Sequence, residues 1–352
     1  MVTPEAPSIR IGGYQVGRGY PCFVIAEAGV NHNGEMDLAL RLVDAAADAG
    51  ANAVKFQTFQ AGKLVTAWAP KAAYQAENTG SGGSQLDMLR KLELSRDRHR
   101  DLKERCARRG ILFLSTPFDE DSADFLESIN VPAFKVSSGD LTDLPFLRHI
   151  ASRGLPVLLS TGMGTLDEVR EAVVALAGVP GLALLHCVSS YPAEPADVNL
   201  RAMETLRLAF DVPVGYSDHS EGLAIALAAV ALGASVLEKH FTLDRTLPGP
   251  DHKASLEPAE LGKLVKDVRT IEQAMGHGRK EPAPSELETA SVARKSLVAA
   301  CDIPAGTTVA PEHVAARRPG TGIPPGMRER LLGRKTRTAM TAGTPFDWET
   351  LE

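Results

Sequence analysis

The chain alternates between short apolar runs and longer segments with helical periodicity. Eight apolar runs predict β-strands. They occupy residues 22–28, 53–56, 111–116, 133–137, 156–161, 182–187, 212–217 and 235–240. Most runs are followed by a stretch whose apolar residues recur every three or four positions, such as 36–50 and 221–233, which end at Gly50 and Gly233. This order is typical of a parallel sheet covered by helices.

Eight strand–helix units within about 270 residues match the size of a (β/α)8 TIM barrel, and this α/β fold is the predicted one. A doubly wound open sheet is the alternative. No GxGxxG motif follows the first predicted strand, so the dinucleotide-binding form of that sheet has no support.

A change of composition predicts a domain boundary near residue 280. Residues 1–280 form the predicted catalytic barrel, and residues 281–294 are a polar, proline-containing stretch that we interpret as a linker. Residues 295–352 contain short apolar runs broken by turn sequences, which predict a small β-rich domain.

Composition restricts the possible functions. The 352 residues are 44% apolar, and the net charge of -6 comes from 38 basic and 44 acidic residues that are interspersed. No basic block indicates a nucleic-acid partner. No run approaches the roughly 18 apolar residues of a membrane span, and no signal-peptide pattern opens the chain. We therefore expect a cytoplasmic protein without a membrane partner.

The four cysteines, Cys22, Cys106, Cys187 and Cys301, are scattered without CxxC spacing. This distribution argues against a disulfide framework and against a thiolate zinc site. Buried free thiols are the prediction.

Polar residues follow the apolar runs where the predicted strands end, and in a TIM barrel these ends converge on the active site. Lys55 and Lys135 supply positive charge, and nearby hydroxyls supply hydrogen-bond donors. These hydroxyls belong to Thr116, Ser138, Ser160 and Ser217. The set suits a small ligand with phosphate and carboxylate groups, such as phosphoenolpyruvate. A single lysine at a strand end can equally be a solvated surface group, so only the whole set carries weight.

His219 and His240 end two successive predicted strands, so their imidazoles can meet above the barrel and bind a divalent cation. Two nitrogen ligands leave positions open through which a catalytic ion can polarise a substrate carbonyl. The alternative is a pair of hydrogen-bonded structural histidines. Glu27 ends the first strand, where it can act as a general base, orient the substrate or pair with a lysine.

Nine motifs lie along the chain. They are FVIAEAGVNHNG, VKFQTFQ, STPFDEDSADFL, FKVSSGDL, LSTGMGTLDEV, LLHCVSSYP, VGYSDHSEG, LEKHFTLDR and GPDHKASLEP. Together they resemble the N-acetylneuraminate (sialic acid) synthase family, and the set is shared by legionaminic and pseudaminic acid synthases and by spore-coat polysaccharide synthases. The tail RKSLVAACDIPAGTTVAPEHVAARRPGTG resembles the SAF (antifreeze-like) domain that follows the barrel in that family.

The resemblance implies a transferase that condenses phosphoenolpyruvate with N-acetylmannosamine or a related amino-sugar aldehyde and releases phosphate by carbon–oxygen cleavage. It implies a divalent metal on His219 and His240, Mn²⁺ ahead of Mg²⁺ or Co²⁺, and Glu27 as the essential acidic residue. The implied phosphoenolpyruvate contacts are Lys55, Thr116, Lys135, Ser138, Ser160 and Ser217. The implied sugar contacts are Gln57, Tyr191 and Asp251.

The resemblance also implies a domain-swapped homodimer, in which the SAF domain of one subunit inserts Arg318 into the barrel of the other. Ser189 departs from the family pattern, because some bacterial sialic acid synthases have an asparagine there that helps to hold the phosphate. A serine hydroxyl can still donate one hydrogen bond, although it cannot reproduce an amide.

Three other functions stay open. One is a legionaminic or pseudaminic acid synthase that acts on a diacetamido 6-deoxy hexose, and another is a metal-dependent keto-acid aldolase or lyase that releases pyruvate. The third is a non-catalytic carbohydrate-binding or ice-binding role, which the tail alone would indicate. The residues between Thr58 and Asp97, including Trp68, predict a long loop near the barrel mouth that can influence the choice of sugar.

Overall fold

Eight parallel strands form the main sheet of the larger of two units, which divide after Gly276. The structure, a computed structural model, describes residues 6–80 and 82–352. The strands of the larger unit are β1 (Ser8–Ile11), β2 (Tyr14–Gly17), β3 (Phe23–Gly29), β4 (Ala53–Thr58), β5 (Leu112–Pro117), β6 (Phe134–Val136), β7 (Val157–Ser160), β8 (Leu182–Cys187), β9 (Val214–Asp218) and β10 (Val236–His240).

The main sheet has the strand order β5-β4-β3-β10-β9-β8-β7-β6, with every hydrogen-bonded pair parallel. The two end strands, β5 and β6, lie side by side, so the sheet curls into a nearly closed barrel. An open doubly wound sheet would leave these strands at opposite edges. The predicted TIM barrel is therefore confirmed.

Helices surround the barrel, most of them on its outer side, while the short helices between β4 and α5 lie at its mouth. They are α1 (Met36–Asp48), α2 (Ala61–Leu64), α3 (Ala73–Thr79), α4 (Gln85–Arg90), α5 (Arg96–Arg109), α6 (Glu120–Ser128), α7 (Leu144–Ser152), α8 (Leu166–Ala175), α9 (Ala202–Ala209), α10 (Ala224–Ala231) and α11 (Pro258–Met275). The glycines predicted to end α1 and α10 adopt left-handed conformations, with φ 79° at Gly50 and φ 89° at Gly233. Glycine accepts this conformation without steric cost, which explains why both helices end there.

The two-residue period of the strands separates two apolar cores. Outward-facing residues such as Val24 and Phe56 pack against the helices. Inward-facing residues such as Ile25, Leu114 and Leu158 fill the lower part of the barrel. The lower interior is therefore packed, and polar groups can occupy only the upper, carboxyl end.

An antiparallel hairpin, β1 and β2, closes the amino end of the barrel. Its side chains Ile9, Ile11 and Val16 are buried against the inward-facing core, and Ile11 and Val16 are fully buried. The sequence did not predict these strands, because four residues are too few for a recognisable alternation of apolar and polar positions.

The smaller unit contains an antiparallel strand pair and many turns. Its elements are α12 (Leu287–Ala293), β11 (Ser296–Ala299), β12 (Val314–Arg317) and α13 (Arg328–Leu331). Isolated bridges such as Ile303 with Met340 extend the pairing, and Phe346 lies fully buried in the core of the unit. This is the β-rich architecture that the turn sequences predict, and α12 lies within the polar stretch 281–294.

All four cysteines lie in the described part of the chain, and all are free thiols. Cys22, Cys106 and Cys187 are buried, as predicted. The prediction is wrong for Cys301, which is exposed on the smaller unit. It follows β11 in a bend, where the backbone has already left the packed strand pair.

Replacing Ile11 by alanine tests the role of the hairpin as a plug. We expect the free energy of unfolding to fall by about 3 kcal/mol, because truncating a fully buried isoleucine loses apolar contact and leaves a cavity. Urea denaturation followed by circular dichroism measures the change. Val174→Ala, at a side chain that is 70% exposed, serves as the control and should change stability by less than about 0.5 kcal/mol. If the two substitutions lowered the free energy of unfolding equally, the hairpin would not stabilise the amino end of the barrel in this way.

Candidate active site

A layer of polar side chains lies inside the barrel, one inward-facing position above the apolar interior. On β3, Ile25 belongs to that interior, and Glu27, two residues later, faces the cavity. The same step leads from Ala53 to Lys55 on β4. Because side chains alternate along every strand, the other strands contribute in the same way. The layer consists of Glu27, Lys55, Thr116, Lys135, Ser160, Cys187, Ser217 and Glu238.

Four charged side chains of alternating sign form a chain of ion pairs in this layer. Lys55 Nζ lies 2.8 Å from Glu27 Oε2 and 3.9 Å from Glu238 Oε1. Lys135 Nζ lies 3.5 Å from Glu238 Oε1, and the Ser217 hydroxyl donates to the same oxygen at 3.0 Å. None of the four charged side chains is more than 4% exposed. Glu238 therefore serves as the anion that both lysines share.

Burial and mutual charge shift the pKa values of these groups. Burial raises the pKa of the Glu27 carboxyl to about 7, although Lys55 acts against it. Burial alone would also raise the pKa of Glu238, but the ammonium groups of Lys135 and Lys55 outweigh it and lower that pKa. The pKa of Lys135 is lowered, because burial exceeds the effect of Glu238. Of the two carboxyls in this layer, Glu27 is thus the one that can exchange a proton near neutral pH.

Serine hydroxyls converge beside Gly162, just beyond the end of β7. The Gly162 N–H donates to Ser138 Oγ at 2.9 Å. A Cβ atom at Gly162 would lie 2.5 Å from Ser189 Oγ and 2.8 Å from Ser138 Oγ, so only glycine lets both hydroxyls approach this closely. Ser160 Oγ is buried without a hydrogen-bond partner among the described residues. Hydroxyls with unused donors, in one cavity with two lysines, suit phosphate or carboxylate oxygens.

His219 and His240 lie together at the carboxyl ends of β9 and β10. Their ring centroids are 5.4 Å apart, and their planes are inclined by 54°. The His219 Nδ1–H donates to the Val188 carbonyl at 2.7 Å, which leaves Nε2 available to a ligand. His240 Nδ1 is buried and has no hydrogen-bond partner in the described part of the chain. Burial holds the pKa of His240 well below its ordinary value, so this imidazole is neutral.

A divalent cation binds imidazole nitrogens that carry no proton, and the neutral ring of His240 offers one. Burial would lower the pKa of His219, but the neighbouring Cys187 outweighs it and raises that pKa, so a cation at Nε2 competes there with a proton. On these terms the pair fits a metal. Within residues 6–80 and 82–352, no cluster of three or more His, Cys, Asp or Glu side chains is arranged to hold an ion. The two histidines alone are therefore an incomplete protein ligand set, as expected of a site that also admits substrate.

Three aromatic rings lie in a row from the mouth of the barrel toward the histidines. The ring of Tyr74, on α3, stacks on Tyr191 at 5.0 Å with an angle of 27°. Tyr191 in turn lies 4.1 Å from the imidazole of His219, with an angle of 37°. The outer ring of the stack therefore belongs to the long segment that follows β4.

That segment, which begins after Thr58, is fastened over one side of the mouth. The Asn78 amide donates to the Pro250 carbonyl at 2.7 Å, and Glu77 forms an exposed ion pair with Lys253 at 3.0 Å. Trp68, in the same segment, does not line the cavity, and 84% of its surface is exposed. The contribution of the segment to the cavity thus comes from α3 and its neighbours.

The polar layer, the serines, the histidines and the stacked tyrosines line one cavity of about 390 Å³. The predicted residues that line it are Glu27, Lys55, Gln57, Thr116, Lys135, Ser138, Ser160, Ser189, Tyr191, Ser217, His219 and His240. Asp251 does not line the cavity but is buried beside it, and burial raises its pKa to about 6 against the opposing charges of His219 and Lys55. Arg318 belongs to the smaller unit, where it is exposed directly after β12.

Sequence reasoning missed several residues that line the cavity. Glu238 is among the polar residues at the predicted strand ends but is assigned no role there, although it precedes His240 by two residues on the same strand and so faces the same way. Cys187 was interpreted only as a buried thiol, yet its Sγ lies 3.6 Å from His219 Nδ1. Tyr74, Gln75 and Gln85 come from α3 and α4, and no local pattern places them at the mouth.

Comparison with protein-family models identifies both units. Residues 42–280 match the model of the NeuB family, and residues 294–352 match the SAF domain. The chain belongs to the NeuB family. The resemblance that the nine motifs and the tail indicate is thereby confirmed.

Relatives of known name agree with this assignment. A protein of Legionella pneumophila named N,N'-diacetyllegionaminic acid synthase is 46% identical over 96% of this chain and 96% of its own length. A Campylobacter jejuni protein of the same name is 47% identical over 88% of this chain and 94% of its own length. The crystal structure of an N-acetylneuraminic acid (sialic acid) synthetase from Leptospira borgpetersenii is 41% identical, covers 81% of this chain and 95% of the other, and has a TM-score of 0.72.

As a NeuB enzyme, the chain is a phosphoenolpyruvate-condensing synthase of nonulosonates, the sialic-acid class of sugar acids. Enzymes of this family use phosphoenolpyruvate with a sugar substrate and in general depend on a metal ion. Among the described residues, no helix has the length and apolar character to cross a membrane.

Replacing Glu238 by glutamine removes the anion that Lys55 and Lys135 share. We expect the free energy of unfolding at pH 7 to fall by about 3 kcal/mol, because an uncompensated buried charge costs about 3–5 kcal/mol. Urea denaturation measures the loss. Added phosphoenolpyruvate should restore part of it, since its anionic groups replace the missing carboxylate.

The control for this experiment is Glu104→Gln, which removes an exposed ion pair with Arg108 at 3.7 Å. Such a pair contributes little, so stability should change by less than about 0.5 kcal/mol, and phosphoenolpyruvate should not rescue the change. A Glu238→Gln protein as stable as the wild type would show that the lysines do not depend on this carboxylate.

Proposed function

We propose that this chain condenses phosphoenolpyruvate with the open-chain aldehyde of an acetamido sugar, giving a nine-carbon 2-keto-3-deoxy acid and phosphate. One observation carries the proposal: a single cavity contains the alternating lysine–glutamate layer, the converging serine hydroxyls and the two histidines. This arrangement supports the proposal, because groups suited to bind an anion and groups suited to hold a carbonyl-activating ion face the same cavity, where two substrates could react.

The phosphate and carboxylate of phosphoenolpyruvate are assigned to the lysines and the hydroxyls near Gly162. Lys55 and Lys135 supply cationic donors that the solvent barely reaches, so their attraction for an anion is weakly screened. The buried Ser160 hydroxyl has an unused donor, and Ser189 lines the same cavity. The remaining proposed contacts are Thr116, Ser138 and Ser217.

His219 and His240 are the proposed ligands of a divalent cation, Mn²⁺ ahead of Mg²⁺ or Co²⁺. When bound, such an ion polarises the aldehyde oxygen of the sugar and makes its carbon electrophilic. The protein fixes the direction of His219 in two ways, through the hydrogen bond to Val188 and through contact with the tilted ring of Tyr191. This orientation does not require the substrate, so the site is preorganised.

Glu27 is the proposed acid–base group, because its raised pKa of about 7 lets it hold or release a proton under physiological conditions. Lys55, at 2.8 Å, keeps the carboxyl in place. Carbon 3 of phosphoenolpyruvate attacks the aldehyde carbon, and water then adds at carbon 2 before phosphate leaves. Gln57, Tyr191 and Asp251 are the proposed contacts to the sugar.

A diacetamido 6-deoxy hexose is the proposed sugar, ahead of the N-acetylmannosamine that the motifs alone favour. The two relatives named N,N'-diacetyllegionaminic acid synthase are 46% and 47% identical to this chain, whereas the sialic acid synthetase of known structure is 41% identical. The amides and hydroxyl at the mouth can hydrogen-bond a second acetamido group. These are Tyr74, Gln75 and Gln85.

The proposed assembly is a domain-swapped homodimer in which Arg318 of the partner subunit completes the sugar site. The exposure of Arg318 beyond the end of β12 supports this proposal, because the side chain is free to enter another molecule. The proposed location is the cytoplasm. Four free thiols are in keeping with a reducing compartment.

A substrate panel tests the function. The full chain with Mn²⁺ and phosphoenolpyruvate is offered a diacetamido 6-deoxy hexose and N-acetylmannosamine, while phosphate release and product mass are measured. We expect one phosphate per sugar acid formed. We also expect kcat/KM to be at least about tenfold higher for the diacetamido sugar, since a site built to pair a polar group discriminates against its absence.

The matched control replaces phosphoenolpyruvate by pyruvate. An aldolase would use pyruvate and release no phosphate, so product formation with pyruvate would overturn the synthase proposal. A higher kcat/KM for N-acetylmannosamine would overturn only the choice of sugar.

Oxygen-18 at the bridging position of phosphoenolpyruvate tests the order of bond making and breaking. Because water adds to carbon 2, the carbon–oxygen bond should break, and the label should appear in the released phosphate. Mass spectrometry of the phosphate and of the sugar acid locates it. Label retained in the sugar acid would mean that water attacks phosphorus instead.

A further inference from the structure

A buried ion pair lies on the outer face of the two strands that carry the histidines. Lys239 Nζ is 2.7 Å from Asp218 Oδ2, and the two side chains are 1% and 0% exposed. The residues are directly opposite each other in the parallel register of β9 and β10. This pair is separate from the chain of ion pairs inside the barrel.

The alternation of the strands places this pair immediately behind the metal site. Asp218 and Lys239 face the outer side of the barrel. His219 and His240 are the next residues along the chain and face inward, so each histidine directly follows a buried charged residue. The ion pair thus joins β9 and β10 at their last paired position, immediately before the two histidines.

The pair also fixes the peptide that follows His219. Asp218 Oδ1 accepts hydrogen bonds from the Ser220 N–H at 2.9 Å and from the Ser220 hydroxyl at 2.6 Å. Lys239 Nζ donates to the carbonyl of the same Ser220. The backbone of His219 is also held by Ala193, whose N–H donates to the His219 carbonyl at 2.9 Å.

Stability alone does not account for this arrangement. Removing two charges from water is costly, and an apolar pair of similar volume is often as stable as a buried ion pair. Neighbouring outward positions on the same strands are apolar or aromatic, as at Tyr216 and Leu237. An ion pair with directed hydrogen bonds, unlike apolar contacts, specifies the position of the atoms that it joins.

We propose that Lys239 and Asp218 are positioning residues that set the separation and orientation of His219 and His240 for the metal. The inference rests on the proposed metal site and deepens it. Neither residue touches the cavity, so they act only through the backbone of the two histidines. Groups that orient ligands in this way typically contribute about 10–100-fold to metal affinity or activity.

The experiment measures the Kd for Mn²⁺ alone, by isothermal titration and by electron paramagnetic resonance, together with the unfolding midpoint. The variants are Lys239→Met, which leaves Asp218 unpaired, and the double variant Asp218→Leu with Lys239→Met, which substitutes an apolar pair. We expect the single variant to lose both stability and affinity. The double variant should recover stability but still bind Mn²⁺ about 10–100-fold more weakly than the wild type.

The matched control is Ser115→Ala, which breaks a buried polar contact on the outer face of strands without metal ligands. Ser115 Oγ lies 2.6 Å from Thr58 Oγ1, with both residues buried. This variant should bind Mn²⁺ with a Kd within twofold of the wild type, whatever its stability.

A folded double variant with the wild-type Kd would overturn the positioning role alone. His219→Ala separates that failure from failure of the metal assignment. If the wild type does not bind Mn²⁺, or if His219→Ala binds it unchanged, the proposed metal site and the inference that rests on it are both overturned.

Discussion

The chain of ion pairs from Glu27 through Lys55 and Glu238 to Lys135 is the interaction on which the site depends. Charges this deeply buried are tolerable only when each has a partner, and alternating signs provide one at every step. The raised pKa of Glu27 adds a second property. When this carboxyl holds a proton, the layer carries more positive than negative charge, which is the condition under which it attracts an anionic substrate.

The barrel makes that layer possible by separating polar from apolar positions along its axis. Lower inward-facing positions are filled by side chains such as Leu158, and the hairpin residues Ile11 and Val16 seal the amino end. The cavity is therefore confined to the carboxyl end, where the histidines and serines also lie. Rigid strands hold these groups, so their geometry is set before any substrate arrives.

Much of this could be predicted, because it follows from local periodicity. The eight barrel strands, and the lysines, serines and histidines at their ends, are visible as apolar runs with polar ends. Glu238 is in the same class, since it lies at a predicted strand end, and the two-residue alternation within its motif turns it to the same side as His240. The hairpin strands β1 and β2 were too short for a pattern.

Contacts between distant segments could not be predicted in the same way. Tyr74 stacks on Tyr191 because α3 is fastened across the mouth, through Asn78 and Pro250, and no local property of either segment specifies that meeting. The exposure of Cys301 has the same origin, since it depends on where the chain leaves β11. The stacking of Tyr74 on Tyr191 and the exposure of Cys301 therefore depend on position in the fold and not on residue type.

The groups proposed for the reaction and those proposed to select the sugar also lie in different parts of the fold. The charged layer and the histidines belong to strands or follow them directly, where a one-residue change of register would turn every side chain away from the cavity. Tyr74, Gln75 and Gln85 stand on short helices of a surface segment, which can change without disturbing the barrel. Relatives named for different sugars can therefore share one fold, which agrees with our proposal that residues at the mouth of this barrel select its sugar.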